Sequence, residues 1–157
     1  MDIAKLFSTF SLGDLSFAID VAHVQEVMRD LEITRVPLAP RSIRGLINLR
    51  GQIITAIDAR SCLGLAPRPE TQSCIYLILR AQGDLISLLV DDVGDVVEFA
   101  EEEFESRPAT LKGRLREVVS GAYRLPGNLL LVLDIQRLLS EPSGEPTSTL
   151  DQAQFMN

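Results

Sequence analysis

The side chains here with chemistry to offer are few: His23, Cys62, Cys74 and the carboxylates of Asp91, Asp92 and Asp95. His23 is the sole histidine and sits on a predicted short helix beside Val24, where a surface or half-buried role is expected rather than catalysis. The cysteines show no C-x-x-C spacing and lie in or beside apolar segments, which reads as two buried free thiols rather than a disulfide or a zinc site. The aspartates supply hard oxygen ligands of the kind that hold calcium or magnesium, but without the spacing of a calcium loop. Consecutive strand residues point to opposite faces, so Asp91 and Asp92 converge only if the strand is bulged. A metal-binding sensor at Asp91, Asp92 and Asp95 is therefore the minor alternative. G-x-S-x-G, G-x-x-x-x-G-K-[ST] and H-E-x-x-H are all missing from the chain, so the sequence points to no catalytic residue and no cofactor.

The elements that would carry these residues read as strands. With 157 residues, one domain with a proper core is expected. Apolar residues make up 46% and aromatic ones only 5%, so Val, Ile and Leu must fill the interior, which favours pleated surfaces. Four hairpins follow from alternation and turn chemistry: Leu6–Leu12 with Leu15–Ile19 about Gly13-Asp14, Leu46–Leu49 with Ile53–Ile57 about Arg50-Gly51, Cys74–Leu79 with Leu85–Val90 about Gln82-Gly83-Asp84, and Val118–Leu125 with Leu129–Leu133 about Pro126-Gly127-Asn128. Val21, Val24, Val27 and Met28 recur at three- and four-residue spacing, which predicts a short helix capped by Asp20. Leu31–Val36 reads as a strand, Val93, Val96 and Phe99 as an extended or bulged edge, and Ile135–Leu139 as a closing helix. Glu101–Glu103 with Glu105 forms a solvated acidic turn. Four strand endings share an apolar run followed by aspartate, at Asp20, Asp58, Asp91 and Asp134; their uneven spacing argues against a solenoid and for barrel strands that each leave through a capping aspartate. From Ser140 onward Pro, Ser, Glu and Thr dominate, so 142–157 is expected to be a disordered tail.

The charge balance narrows the partners. A net charge of -7 repels phosphate backbones, which excludes nucleic acid. The start Met1-Asp2-Ile3-Ala4-Lys5 has no signal-peptide character, and no apolar run is long enough for a spanning helix; a cytoplasmic protein with no direct membrane insertion is expected. Recognition of other proteins remains. Val24, Val27 and Met28, with Val93 and Val96 on a neighbouring edge, are placed to line an apolar groove for a partner helix, although valines at this spacing also suit a core. Arg50 at a hairpin bend should point outward and offer a planar guanidinium to a carboxylate, with Glu26 the candidate partner.

These residues carry a resemblance. Val24-Gln25-Glu26-Val27, Ile43-Arg44-Gly45-Leu46-Ile47-Asn48-Leu49-Arg50-Gly51-Gln52-Ile53, Leu89-Val90-Asp91-Asp92-Val93-Gly94-Asp95-Val96 and the closing Leu133-Asp134-Ile135-Gln136-Arg137-Leu138-Leu139 resemble the CheW family of bacterial chemotaxis coupling proteins, from about Lys5 to Leu139. The resemblance implies an all-β domain over residues 1–141, built as two interleaved five-stranded barrels sharing one apolar core, with short helices including one near the C-terminus. It also implies a non-enzymatic adaptor that joins the cytoplasmic tip of chemoreceptors to the regulatory domain of a CheA-type histidine kinase, recruited to receptor arrays at the membrane. The family's receptor-binding valines fall on Val24, Val27, Val93 and Val96, its carboxylate and arginine on Glu26 and Arg50, and the glycine that affects kinase control on Gly45. Related couplers serve surface-motility and second-messenger pathways, and these residues do not separate them. Two departures are visible: Asp58-Ala59-Arg60 replaces the more usual Asp-Leu-Arg, and the loop from Gly64 to Ser73 contains two prolines.

Overall fold

A computed structural model describes residues 4–69 and 71–140; the tail expected over 142–157 lies outside them. The chain runs β1 (Ala4–Leu12), β2 (Leu15–Asp20), a 3₁₀ turn (Val21–His23), β3 (Val24–Met28), β4 (Ile43–Leu49), β5 (Gln52–Asp58), α1 (Ala59–Cys62), β6 (Ile75–Ala81), β7 (Asp84–Val90), β8 (Asp92–Ala100), a second 3₁₀ turn (Glu101–Glu103), α2 (Gly113–Val118), β9 (Val119–Leu125), β10 (Asn128–Leu133) and α3 (Ile135–Leu139). The four expected hairpins form at their expected turns. Leu31–Val36 is not a strand; only Thr34 bridges Leu46, through two backbone hydrogen bonds of 2.8 Å. α2 was not expected.

The strands form two five-stranded sheets, β8-β1-β2-β10-β9 and β3-β6-β7-β5-β4. Each has the same succession of neighbours: antiparallel, antiparallel, parallel, antiparallel. The second sheet is continuous in sequence, whereas the first combines β1 and β2 with β8, β9 and β10, so the halves interleave. In each half, one backbone bridge links the segment beyond one edge strand to the opposite edge: Thr34 to Leu46, and Glu105 to Ala122. The equivalence explains the aspartate echo. Asp20 and Asp91 end the matching strands β2 and β7, while Asp58 and Asp134 end β5 and β10. Asp20, Asp58 and Asp134 cap the turn or helix that follows by accepting from Ala22 N, Arg60 N and Arg137 N. Asp91 does not.

Period-two alternation distributes the apolar side chains between three cores. Leu77 and Leu79 of β6, Leu88 and Val90 of β7, Phe17 and Ile19 of β2, and Leu131 and Leu133 of β10 meet in a core shared by the two sheets. Their neighbours Tyr76, Ile78 and Leu89 fill one half's own interior, and Ala18, Leu130 and Val132 the other's. Both faces of these strands are therefore buried, which is why they read as unbroken apolar runs. Each fully buried Leu, Ile or Phe contributes about 1.5–3 kcal/mol relative to exposure.

Candidate docking surface

Val24 and Val27 lie not on a helix but on the edge strand β3, and the register shows why their spacing misleads. Val24 pairs with Leu79, Glu26 with Ile78 and Val27 with Leu77, the shift between Val24 and Glu26 leaving Gln25 as an extra residue. A two-against-one bulge reverses the parity of a strand, so residues three apart, Val24 and Val27, share the face of Leu79 and Leu77. That face belongs to the shared core. The same device operates in the other half. Val93 pairs with Phe10 and Val96 with Ser8, so Gly94 and Asp95 together oppose Thr9. The Thr9 hydroxyl donates to the Asp95 carbonyl at 2.7 Å, and a Cβ on Gly94 would sit 2.6 Å from Thr9 Oγ1. Both bulged edges thus turn their valines toward the junction of the sheets. Val24 and Val93 are half-buried against the shared core, whereas Val27 and Val96 remain 44% and 55% exposed.

The opposite parity of β3 places Glu26 and Met28 on the side of its own half's interior, alongside Ile78 and Tyr76. From there Glu26 reaches Arg50. Arg50 and Gly51 both have positive φ, 52° and 85°, as a two-residue hairpin loop of primed type requires, and Asn48 Oδ1 accepts from Gly51 N at 2.9 Å. The loop projects the guanidinium outward, where it donates to Glu26 Oε1 and Oε2 at 2.8 and 3.0 Å. These hydrogen bonds lower the Glu26 carboxyl and raise the Arg50 guanidinium from their ordinary values. The pair is held in one geometry at the surface as a planar charged patch, on the face of β3 opposite to Val27.

Gly45 makes its close contact elsewhere. A Cβ there would lie 2.3 Å from the Thr34 carbonyl oxygen and 2.6 Å from Ile33 Cγ2, so glycine is what permits the bridge that closes the sheet. Gly121, its counterpart in the other half, is crowded in the same way by Phe104 and the Glu105 carbonyl.

A buried ionic cluster at the crossing between the halves is absent from the sequence-based expectations. Asp91 Oδ1 accepts from Arg60 Nε at 3.1 Å and Arg68 Nε at 3.0 Å, and Oδ2 accepts from Gly13 N at 2.7 Å and from a terminal nitrogen of Arg60. Asp58 stands beside it, 3.9 Å from Arg68 and 3.2 Å from Arg44. Burial alone would push the Asp91 carboxyl up, but the hydrogen bonds from Arg60, Gly13 and Arg68 outweigh it and hold the group at about 2. This overturns the cation site: Asp91 is already occupied by two guanidiniums, and Asp92 Oδ1 accepts from the Val93 N–H. Among the described residues no set of three His, Cys, Asp or Glu is placed to hold a metal. The pointers in the sequence were Arg68 between two prolines and Arg60 two residues past a strand-ending aspartate, but a proline-flanked arginine ordinarily marks an exposed loop. Cys62 and Cys74 are free and partly buried, with burial raising the Cys62 thiol to about 11, and His23 Nδ1 lies 3.3 Å from the Arg80 carbonyl.

The fold and this surface set the terms for comparison with known proteins. A family model described as a CheW-like domain matches residues 7–143. The chain belongs to the CheW-like domain family. Among its relatives, the probable chemotaxis protein CheW of Rhizobium etli is 26% identical over 136 residues, covering 87% of this chain and 88% of that protein. The chemotaxis protein CheW of Treponema pallidum is 29% identical over 136 residues, covering 84% and 80%. The crystal structure of the scaffolding protein TtCheW from Thermoanaerobacter tengcongensis matches with a TM-score of 0.80 at 28% identity, over 92% of this chain and 99% of that one. This CheW-like fold is mostly β, with short helices only, and none of the described helices is long and apolar enough to cross a membrane.

Proposed function

We propose that the chain is a cytoplasmic, non-enzymatic adaptor that couples the cytoplasmic tip of chemoreceptors to the regulatory domain of a CheA-type histidine kinase in bacterial chemotaxis. Membership of a family that includes chemotaxis and scaffolding proteins supports the setting. The observation that carries the reading is the pair of bulged edge strands, whose valines at 24, 27, 93 and 96 face one junction. An apolar strip bounded by two edges accepts the apolar face of a helical hairpin, which is the form assigned here to the receptor tip. The Glu26–Arg50 pair then orients a docked partner, since a planar guanidinium–carboxylate unit fixes direction. Assembly proceeds by mass action at two surfaces, without covalent chemistry.

Reconstitution with purified receptor-tip fragments and the CheA-type kinase of the same organism tests this. Wild-type protein should bind both and raise their co-assembly, and Val27→Asp should weaken receptor binding at least about tenfold by placing a charge in an apolar contact. Binding of neither partner by well-folded protein overturns the reading and directs the search to the couplers of surface-motility or second-messenger pathways.

A further inference from the structure

The chain crosses between its two sheets at equivalent points, and only the second carries a buried ionic cluster. After β2, Asp20 caps the local 3₁₀ turn through Ala22 N. After β7, the equivalent Asp91 is gripped by groups from both halves. Gly13 N, from the β1–β2 turn, belongs to one half; Arg60 of α1 and Arg68 of the following loop belong to the other. The side chains are nearly sealed from solvent, at 9% exposure for Asp91, 13% for Arg60 and 4% for Arg68. Arg60 also donates to the Ala66 and Pro67 carbonyls, and Arg68 to the Leu89 carbonyl, so both guanidiniums are braced by backbone.

Beyond this cluster, a hydrogen bond from Asp91 N to the Ser11 carbonyl at 3.2 Å and a Cys62 thiol 3.9 Å from the Leu138 carbonyl, the two halves meet through the shared apolar core. Apolar packing is non-directional and tolerates small rotations, whereas here two guanidiniums of its own half hold the Asp91 carboxylate fixed while its Oδ2 accepts from Gly13 N of the other half, which sets angle and distance together. Asp91 immediately precedes β8, and Val93 stands two residues beyond it. We propose that Asp91, Arg60 and Arg68 form an orientation lock between the two halves, holding β8 with Val93 and Val96 at a set angle to β3 with Val24 and Val27. They are positioning residues: being buried, they act on a docked partner only through the groove geometry. The lock itself is a property of the free protein; its effect on docking rests on the adaptor reading.

The test is residual dipolar couplings of backbone amides on the full chain, comparing wild type with Asp91→Asn and with the triple variant Arg60→Met, Arg68→Met, Asp91→Leu. The triple variant removes all three charges at once, leaving none buried without a counter-charge, and guards against the single variant failing to fold. In the wild type one alignment tensor should fit both halves. In the triple variant each half should still fit its own tensor, with the two diverging in orientation or magnitude. Receptor-tip affinity should fall about tenfold if one molecule in ten retains the competent angle. A single tensor of unchanged orientation in the folded triple variant overturns the lock, whatever the protein binds. Diverging tensors with undiminished receptor binding overturn its positioning role. Wild-type protein that binds no receptor tip would sink the adaptor reading, while the couplings would still decide the lock.

Discussion

Acidification should strip a defined share of stability from the Asp91 cluster. The folded-state carboxyl is held at about 2 against an ordinary value of 3.8. A depressed carboxyl contributes stability that is fully present above its unfolded pKa and is lost as pH falls through the folded one. The window therefore opens near pH 4 and closes near pH 2. The gap between 3.8 and about 2, at about 1.4 kcal/mol for each tenfold change in proton affinity, corresponds to about 2.5 kcal/mol, with little to discount for screening because the side chain is 9% exposed. Asp91→Asn isolates this contribution. At neutral pH it leaves Arg60 and Arg68 facing a neutral amide, and removing one member of a buried pair costs about 3–5 kcal/mol. With urea m-values of roughly 1–3 kcal/mol/M, the unfolding midpoint should drop by about 1–5 M. The informative quantity is the stability difference between wild type and variant, measured by urea unfolding from pH 6 to pH 2, in which other carboxylates cancel. It should shrink by about 2 kcal/mol by about pH 2, where the carboxyl is half protonated, most of it below about pH 4. A difference that stays constant across that range would refute the assignment of the stabilisation to the ionised Asp91 carboxylate.

The remaining expectations concern the bridge and the docking edge. Gly45→Ala should cost about 2 kcal/mol by breaking the two Thr34–Leu46 hydrogen bonds at about 1 kcal/mol each, read as a lowered thermal midpoint; an unchanged midpoint would mean that the crowding at Ile33 and Thr34 relaxes freely. Val24→Asp should destabilise the fold, because Val24 packs on the shared core, while Val27→Asp, at a position 44% exposed, should leave urea unfolding nearly unchanged; equal losses would mean that β3 does not present its valines as described. Arg50→Glu and Glu26→Arg should each weaken kinase co-assembly, and the double exchange should recover part of it in a mutant cycle. Independent, additive losses would separate Glu26 from Arg50 functionally.

Much of this fold was legible because hairpins announce themselves locally, through alternation and a glycine at the bend. The Glu26–Arg50 contact was legible for a related reason: a primed hairpin loop leaves its first residue pointing outward, and an acidic side chain on a nearby segment is its natural acceptor. The valines were legible as residues but not as a conformation. Spacing of three is what a helix face produces, and it is equally what a strand produces once a bulge has reversed its parity; only the pairing of Val24 with Leu79 and Val27 with Leu77 distinguishes them. The ionic cluster was not legible from local pattern, since Gly13, Arg60, Arg68 and Asp91 come together only when β1 and β2 join the strands that follow β7. Yet the sequence did hold a trace of it. Four strand endings carry aspartate, and capping explains three; the fourth has no turn or helix of its own to cap. A charge recurring in a structural series, at the one position where the local reason for it fails, must find its partners elsewhere in the fold, and here those partners are two arginines of its own half and the Gly13 N–H of the other.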